Sequence, residues 1–542
     1  MLRRLVGNGV FWLLLCSLPL FVYHTLRPFD YLKRWADSGD YLEMVEMDLL
    51  DPQGLCSLRP WGYVIFLKGY DVVFNDWGLA PTHSWWLAFG EHDQQWIDEY
   101  QARQLWPGSW LVFEPVGVAA GENLPLASWR YLPTCHLLLH IISVLIFYAG
   151  LRQLGFPTVA CVLMCLPILY FDYLDLMVHS MLADAPGQAF LLMTVSSFFF
   201  VLRKPSSWLR WLSLVFCVFA SYHLRAAFQF LLVMLPLVTL LLGNCTGGLR
   251  KQRMAMTGAM LAICWLPYLA YCGWRYHVVG QFSLVACTGF QFSGFSGLLV
   301  TNNMVQDFRP ENQSLAAFIV KGRTEPYAED QCRKWKAVLD WYQGEDGEVE
   351  GWVPPLKNGQ PVYEMDYARV QQQYSWVVWQ VVWQWAKEKY QDKDSVYDQY
   401  LAADSQFMAF SLDFIQKHPD IYAMCVLKGW WAAIQFAFER WAMRIPLILC
   451  GLMAPLLSLR MGAPGKINST AAGMLSSRQQ FIILATTIIA FFVFKVQLTA
   501  MSAAVMRYGD VDGRYIDTAS LLLPCLPMLG VYYLGRCLFA RA

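Results

Sequence analysis

Apolar runs of roughly twenty residues recur along this chain, and short loops rich in Lys and Arg separate them. Such runs restrict the fold to helices packed in a membrane, because an α-helix satisfies its backbone hydrogen bonds within one segment of lipid. About ten spans are predicted, near 8–26, 131–151, 157–175, 187–203, 207–223, 227–243, 255–275, 442–459, 480–500 and 518–537. Composition agrees. Hydrophobic residues make up 56% of the 542 positions and charged residues 15%, against about 25% charged in soluble domains. Lys+Arg and Asp+Glu are both 41, so there is no basic field of the kind that draws nucleic acid.

Charge location orients the chain. With the amino terminus inside, the inner segments carry Arg3/Arg4, Arg152, Arg203/Lys204/Arg210, Arg250/Lys251/Arg253, Arg460/Lys466/Arg478 and Arg536/Arg541. Both termini are then cytoplasmic, and the short inner loops suit a bacterial inner membrane. The Val10–Tyr23 run ends in bulky residues rather than a small-residue cleavage site, so an uncleaved first span is expected. The expected organisation is a membrane core over 1–275 with a long first outer loop at 27–130, a periplasmic insert over 276–440 that turns helical towards its end, and further spans over 441–542.

The first outer loop is rich in Trp and acid. In the insert, Trp376, Trp379 and Trp383 share one helical face, which suits packing better than a ligand box. Most cysteines sit in apolar runs as small hydrophobes. Cys56, Cys287 and Cys332 fall in loops and leave room for one disulfide. No spacing of His and Cys fits zinc.

Several polar residues fall where spans meet the outer surface. Asp37 and Asp40 stand in Arg34-Trp-Ala-Asp-Ser-Gly-Asp-Tyr41, just past the first span. Asp37 fits a helix cap and equally a general base taking a proton from an acceptor hydroxyl. Arg59 opens Arg-Pro-Trp-Gly-Tyr63, before a short apolar stretch read as a helix lying along the membrane surface. Asp172, Asp175, His179 and Asp184 crowd the turn between the third and fourth spans. Placing them against apolar helices is costly unless they are used. Asp184 precedes Pro186 at a helix start, so capping and chemistry both stay open. Arg225 closes the fifth span on the outer side, and Arg507 and Arg514 recur near the last two spans. Outward arginines break the usual charge bias, and a guanidinium fork suits phosphate oxygens, although snorkelling to headgroups needs the same residue. Asp510-Val-Asp512 matches Asp-x-Asp metal motifs, a pattern too short to carry weight.

The order of these features resembles the GT-C superfamily of membrane glycosyltransferases, including protein O-mannosyltransferases and the lipid A aminoarabinose transferase. The resemblance rests on the Asp-Ser-x-x-Tyr after the first span, Arg59-Pro-x-Gly-Tyr63, Asp184-x-Pro186, Arg225, and Arg514-Tyr515 at the last span. It covers 1–275 best and 480–530 modestly. It implies an all-α GT-C bundle with outer loop helices. The implied reaction moves a sugar from a polyprenyl-phosphate donor to a glycan, lipid or protein acceptor on the periplasmic face, with inversion. By position, Asp37 and Asp184 take the catalytic places. Asp40, Arg59, His179, Arg225, Arg514 and Tyr515 take substrate-binding places. No resident cofactor is implied, the lipid-linked sugar being a co-substrate, and a divalent metal stays open. A long Trp-rich first loop, the large insert and Ala226 in place of a Pro depart from the pattern and leave the acceptor open. Two other readings compete. A carrier for lipid-linked sugars would place charges at mid-bilayer, and a non-catalytic assembly subunit would use its insert to bind partners.

Overall fold

The computed structural model describes residues 8–26, 41, 44–49, 51–57, 59–76, 131–171, 174–178, 182–243, 250–324, 356–357, 360–361, 381–393, 396–439, 477–501 and 520–539. The sequence-predicted elements at Asp37, Asp40, Asp172, His179, Arg507, Arg514, Tyr515 and 442–459 lie outside these residues. So do Cys332 and most of the Trp-rich first loop.

The described chain is helical, apart from a two-residue pairing of Leu356–Lys357 with Gln360–Pro361. In order, the helices used below are α1 (Gly9–Leu26), α2 (Trp61–Asp71), α3 (Leu132–Leu154), α4 (Thr158–Leu169), α5 (Asp184–Arg203), α6 (Trp208–Leu224) and α7 (Leu231–Leu242). They continue as α8 (Arg250–Val279), α9 (Thr288–Leu299), α10 (Pro310–Thr324), α11 (Val396–Lys417), α12 (Pro419–Glu439), α13 (Ser477–Met501) and α14 (Cys525–Phe539). Among the described residues four stretches, Leu132–Leu154, Asp184–Arg203, Arg250–Val279 and Gln479–Met501, are long and apolar enough to cross a membrane.

Other predicted spans are shorter than the sequence suggests. The run at 157–175 stops at Leu169, two residues past Pro167, and a separate turn of helix follows at Leu174–Val178. Proline removes one ladder hydrogen bond and crowds the preceding turn. The run at 518–537 begins in turns at 521–524 and becomes helix only from Cys525.

α5 is the centre of the bundle. Nearly all of its side chains are buried, and it packs most extensively on α3 and α6. The helix can be apolar all round because neighbours cover every face. α1, α4 and α14 close one flank, and α7, α8 and α13 close the other.

Two glycines show which helix ends meet. Gly155 ends α3 in the left-handed region (φ +98°), and a Cβ there would approach Gln480, in the first turn of α13. At the opposite end, Gly62 of α2 lies directly on the backbone of His223 and Leu224, where α6 finishes. A Cβ at Gly62 would sit 2.4 Å from that carbonyl, so the helix docks only because the side chain is missing. α2 is therefore wedged into the bundle end by Trp61, Tyr63, Val64 and Leu67, all almost fully buried, and does not merely lie along a surface. Lys68 secures it further by donating to the carbonyls of Val45 (2.5 Å) and Met47 (2.7 Å).

Residues 276–440 build a second core around Phe290, Phe295, Phe308, Phe407 and Phe410. Helices occupy its early part as well, at α9 and α10, where the sequence reading left them unassigned. Trp383 is a packing residue, with its ring 4.4 Å from Tyr400 and 5.6 Å from Phe290. Cys56 is a free thiol buried against this core.

A buried polar chain ties this core to the bundle. Asp404 of α11 accepts from the backbone N–H of Gly289 (2.6 Å) and Phe290 (3.2 Å), and from Gln281 Nε2 (2.7 Å). Gln281 Oε1 accepts from Arg275 of α8 (2.9 Å), whose Nε donates to the Leu55 carbonyl (2.8 Å). Burial pushes the Asp404 carboxyl up from 3.8 to about 6, with its hydrogen bonds and Arg275 pulling the other way. The folded state therefore holds this proton more tightly than the unfolded chain. Its stabilising contribution is complete below about pH 4, falls as pH rises towards about 6, and is flat above that, for a total of about 3 kcal/mol at most. Amide exchange in α9 and α11, corrected for intrinsic rate, is expected to show loosening across that window. Asp404→Asn is expected to flatten the profile.

Candidate functional site

Three segments meet where α2 docks. Tyr41, Ala183 and Leu224 belong to one buried cluster with Tyr63, Val64 and Leu67 of α2. Each is the chain neighbour of a residue singled out above: Asp40, Asp184 and Arg225. The Tyr41 ring stands edge-on to Tyr63 at 4.8 Å. Tyr63 Oη lies 3.4 Å from His136 Nε2, and His136 Nδ1 lies 3.0 Å from the Val178 carbonyl. That carbonyl can only accept, so Nδ1 carries the proton and Nε2 is left to accept from the tyrosine. Burial holds the Tyr63 hydroxyl well above its ordinary pKa, with Tyr41 adding to the effect, so it stays protonated and can donate.

Asp184 and Arg225 form an ion pair, with side chains 7% and 10% exposed. α5 starts at Asp184 itself with Ala183 in the cap position, so the carboxylate lies in the first turn beside the helix dipole's positive end. Arg225 ends α6 in extended backbone, and a single 3₁₀ turn, Ala226–Phe228, follows. Gly187, almost one turn along α5 from Asp184, leaves the space that the Phe228 ring and the Arg225 stem occupy. The two residues therefore meet because a small residue and a helix break stand beside them.

A third charge completes the group, one that the sequence reading did not single out. Lys495 of α13 is 1% exposed, and its Nζ sits 5.7 Å from the centre of the Phe228 ring. Arg225 is close enough to act on it electrostatically. Among the described residues no carboxylate forms an ion pair with this ammonium. The group thus gathers a carboxylate, a guanidinium and an amine around the 3₁₀ turn that lies between α5 and α13. Burying a cation without an anion is expensive in lipid, and a negatively charged ligand would remove that cost. Its sequence signal was a lone Lys within Phe491-Phe-Val-Phe-Lys495-Val, one charge in an otherwise apolar span.

Further buried polar atoms lie nearby. His223, the residue before Leu224, has its ring 4.4 Å from Tyr271 and 4.2 Å from Phe219, and its Nε2 makes no hydrogen bond among the described residues. Such groups are uncommon in cores and tend to mark places where a ligand or water is needed. Arg59 lies just before α2 and is part-buried, its backbone N–H held by Ser57 Oγ (3.1 Å). Asp175 falls within the short helix Leu174–Val178. Among the described residues no three His, Cys, Asp or Glu side chains gather as a metal site.

No known protein family, characterised protein or solved structure matches this chain.

Proposed function

We propose that the chain is a glycosyltransferase of the GT-C type, which takes a sugar from a polyprenyl-phosphate donor at the outer face of a bacterial inner membrane. The proposal includes about ten spans, with 276–440 on the periplasmic side. The observation that carries it is the buried Asp184–Arg225 pair with the buried Lys495 amine close by. A phosphate needs such fixed positive charge, and a lipid-borne phosphate reaches it from between helices.

In this reading the acceptor hydroxyl oxygen attacks the anomeric carbon and the bond from that carbon to the phosphate oxygen breaks. The electron pair leaves with the polyprenyl phosphate, and the acceptor proton passes to a carboxylate. Arg225 and Lys495 stabilise the charge that grows on the leaving phosphate and need no reorganisation to do so. Asp184 holds Arg225 in place. Asp37 is the proposed base, and Asp40, Arg59, His179, Arg514 and Tyr515 are the proposed substrate-binding residues. Support for this side of the site comes from Tyr41, which follows Asp40 in the chain and shares a cluster with the neighbours of Asp184 and Arg225.

The direct test is transfer of labelled sugar from polyprenyl phosphate by purified protein, with an envelope extract as acceptor source. Asp37→Asn is expected to lower turnover by at least about a hundredfold at equal expression. Full turnover in that variant removes Asp37 as base. One observation favours a second reading. Lys495 stands six residues inside the Met501 end of α13, roughly 9 Å deep at helical rise, as the charge of a lipid-linked sugar carrier would. Transport of donor across vesicles without any transfer would decide for the carrier.

A further inference from the structure

α12 leaves one face uncovered. Met424, Leu427 and Trp431 stand at i, i+3 and i+7 and are 54%, 63% and 62% exposed. The opposite face descends the flank of α13. Tyr422 Oη donates to the Met501 carbonyl (3.0 Å), Trp430 Nε1 donates to Gln497 Oε1 (2.6 Å), and Ala433 packs with Val496 and Ala500. α13 is one of the four helices able to cross a membrane, and it too has an open apolar strip at Ile489 and Val493. The contact at Val496 lies five residues inside the Met501 end, roughly 7 to 8 Å along the axis. α12 therefore follows α13 to a depth where α13 itself needs lipid.

We infer that α12 is embedded in the bilayer beside α13, and that its Met424–Leu427–Trp431 stripe contacts acyl chains. Three large apolar side chains in one stripe are unfavourable against water and neutral against lipid. Between Asp420 and Glu439 the helix carries one charge, Lys428. Tyr422 and Trp430 are the amphipathic aromatics favoured at a membrane interface. Its described residues are not among the helices long and apolar enough to cross alone. The boundary between the insert and the membrane then falls at Pro419 and not at 441.

The test uses the full chain in lipid nanodiscs, with a photo-crosslinking side chain at one position at a time. The variants are Leu427→benzoylphenylalanine, Trp431→benzoylphenylalanine and, on α11, Leu412→benzoylphenylalanine, a position 49% exposed. Lipid adducts read by mass spectrometry are expected to be severalfold more abundant at 427 and 431 than at 412. Yields at or below the 412 level overturn the inference. Crosslinks to a second copy of the chain also overturn it and make the stripe a protein interface. If replacing Trp431 prevents folding, the comparison of 427 with 412 decides by itself.

Discussion

Lys495→Met is expected to abolish turnover while leaving the protein as stable as before, or more so. The side chain lies inside the bundle with Arg225 nearby and no carboxylate paired to it among the described residues. A methionine of similar length fills the volume and removes a charge that the fold itself does not need. The phosphate of a bound donor would lose one of its two fixed cations. Removing one such preorganised group typically lowers rates by about 10² to 10³. The measurement pairs thermal stability in detergent with sugar transfer from polyprenyl phosphate. A variant that is less stable yet equally active would make Lys495 structural and take away the main support for the proposed site.

The second large effect has the opposite signature. Asp184→Asn leaves Arg225 and Lys495 as two buried cations without their anion, and breaking a buried pair in this way costs about 3 to 5 kcal/mol. Stability is therefore expected to fall sharply before any question of activity arises. Adding Lys495→Met to Asp184→Asn should recover part of the loss, because one of the two cations is gone. Non-additivity in this double-mutant cycle measures the coupling directly. Strict additivity would mean that Asp184 and Lys495 do not share a site, and the three-charge group would dissolve into an ordinary ion pair and an unrelated lysine.

The two predictions separate roles that a sequence cannot separate. An aspartate at the first turn of a helix satisfies the dipole and the exposed N–H groups whether or not it also pairs with a distant arginine. Asp184 was legible as a helix start with a carboxylate, and nothing local distinguished capping from chemistry. The distinction lies in residues 41 positions along the chain, at Arg225, and hundreds along, at Lys495.

What the sequence determined was everything that depends on local pattern. Runs of apolar residues predicted α3, α5 and α13 to within about three residues and the middle of α8, because desolvating a backbone in lipid requires a helix and length sets which runs suffice. The basic loops were equally readable, since charge along the chain needs no folding to be seen. Tertiary structure alone decided which charges meet. Gly62 lets α2 dock on the end of α6, and Gly187 lets the Arg225–Phe228 turn close on α5, which places Arg225 against Asp184 and Phe228 under Lys495. The same holds for the pairing of α12 with α13, which joins Tyr422, Trp430 and Ala433 to residues some seventy positions along the chain. Contacts between distant segments depend on shape, and shape is a property of the packed chain rather than of any stretch of it.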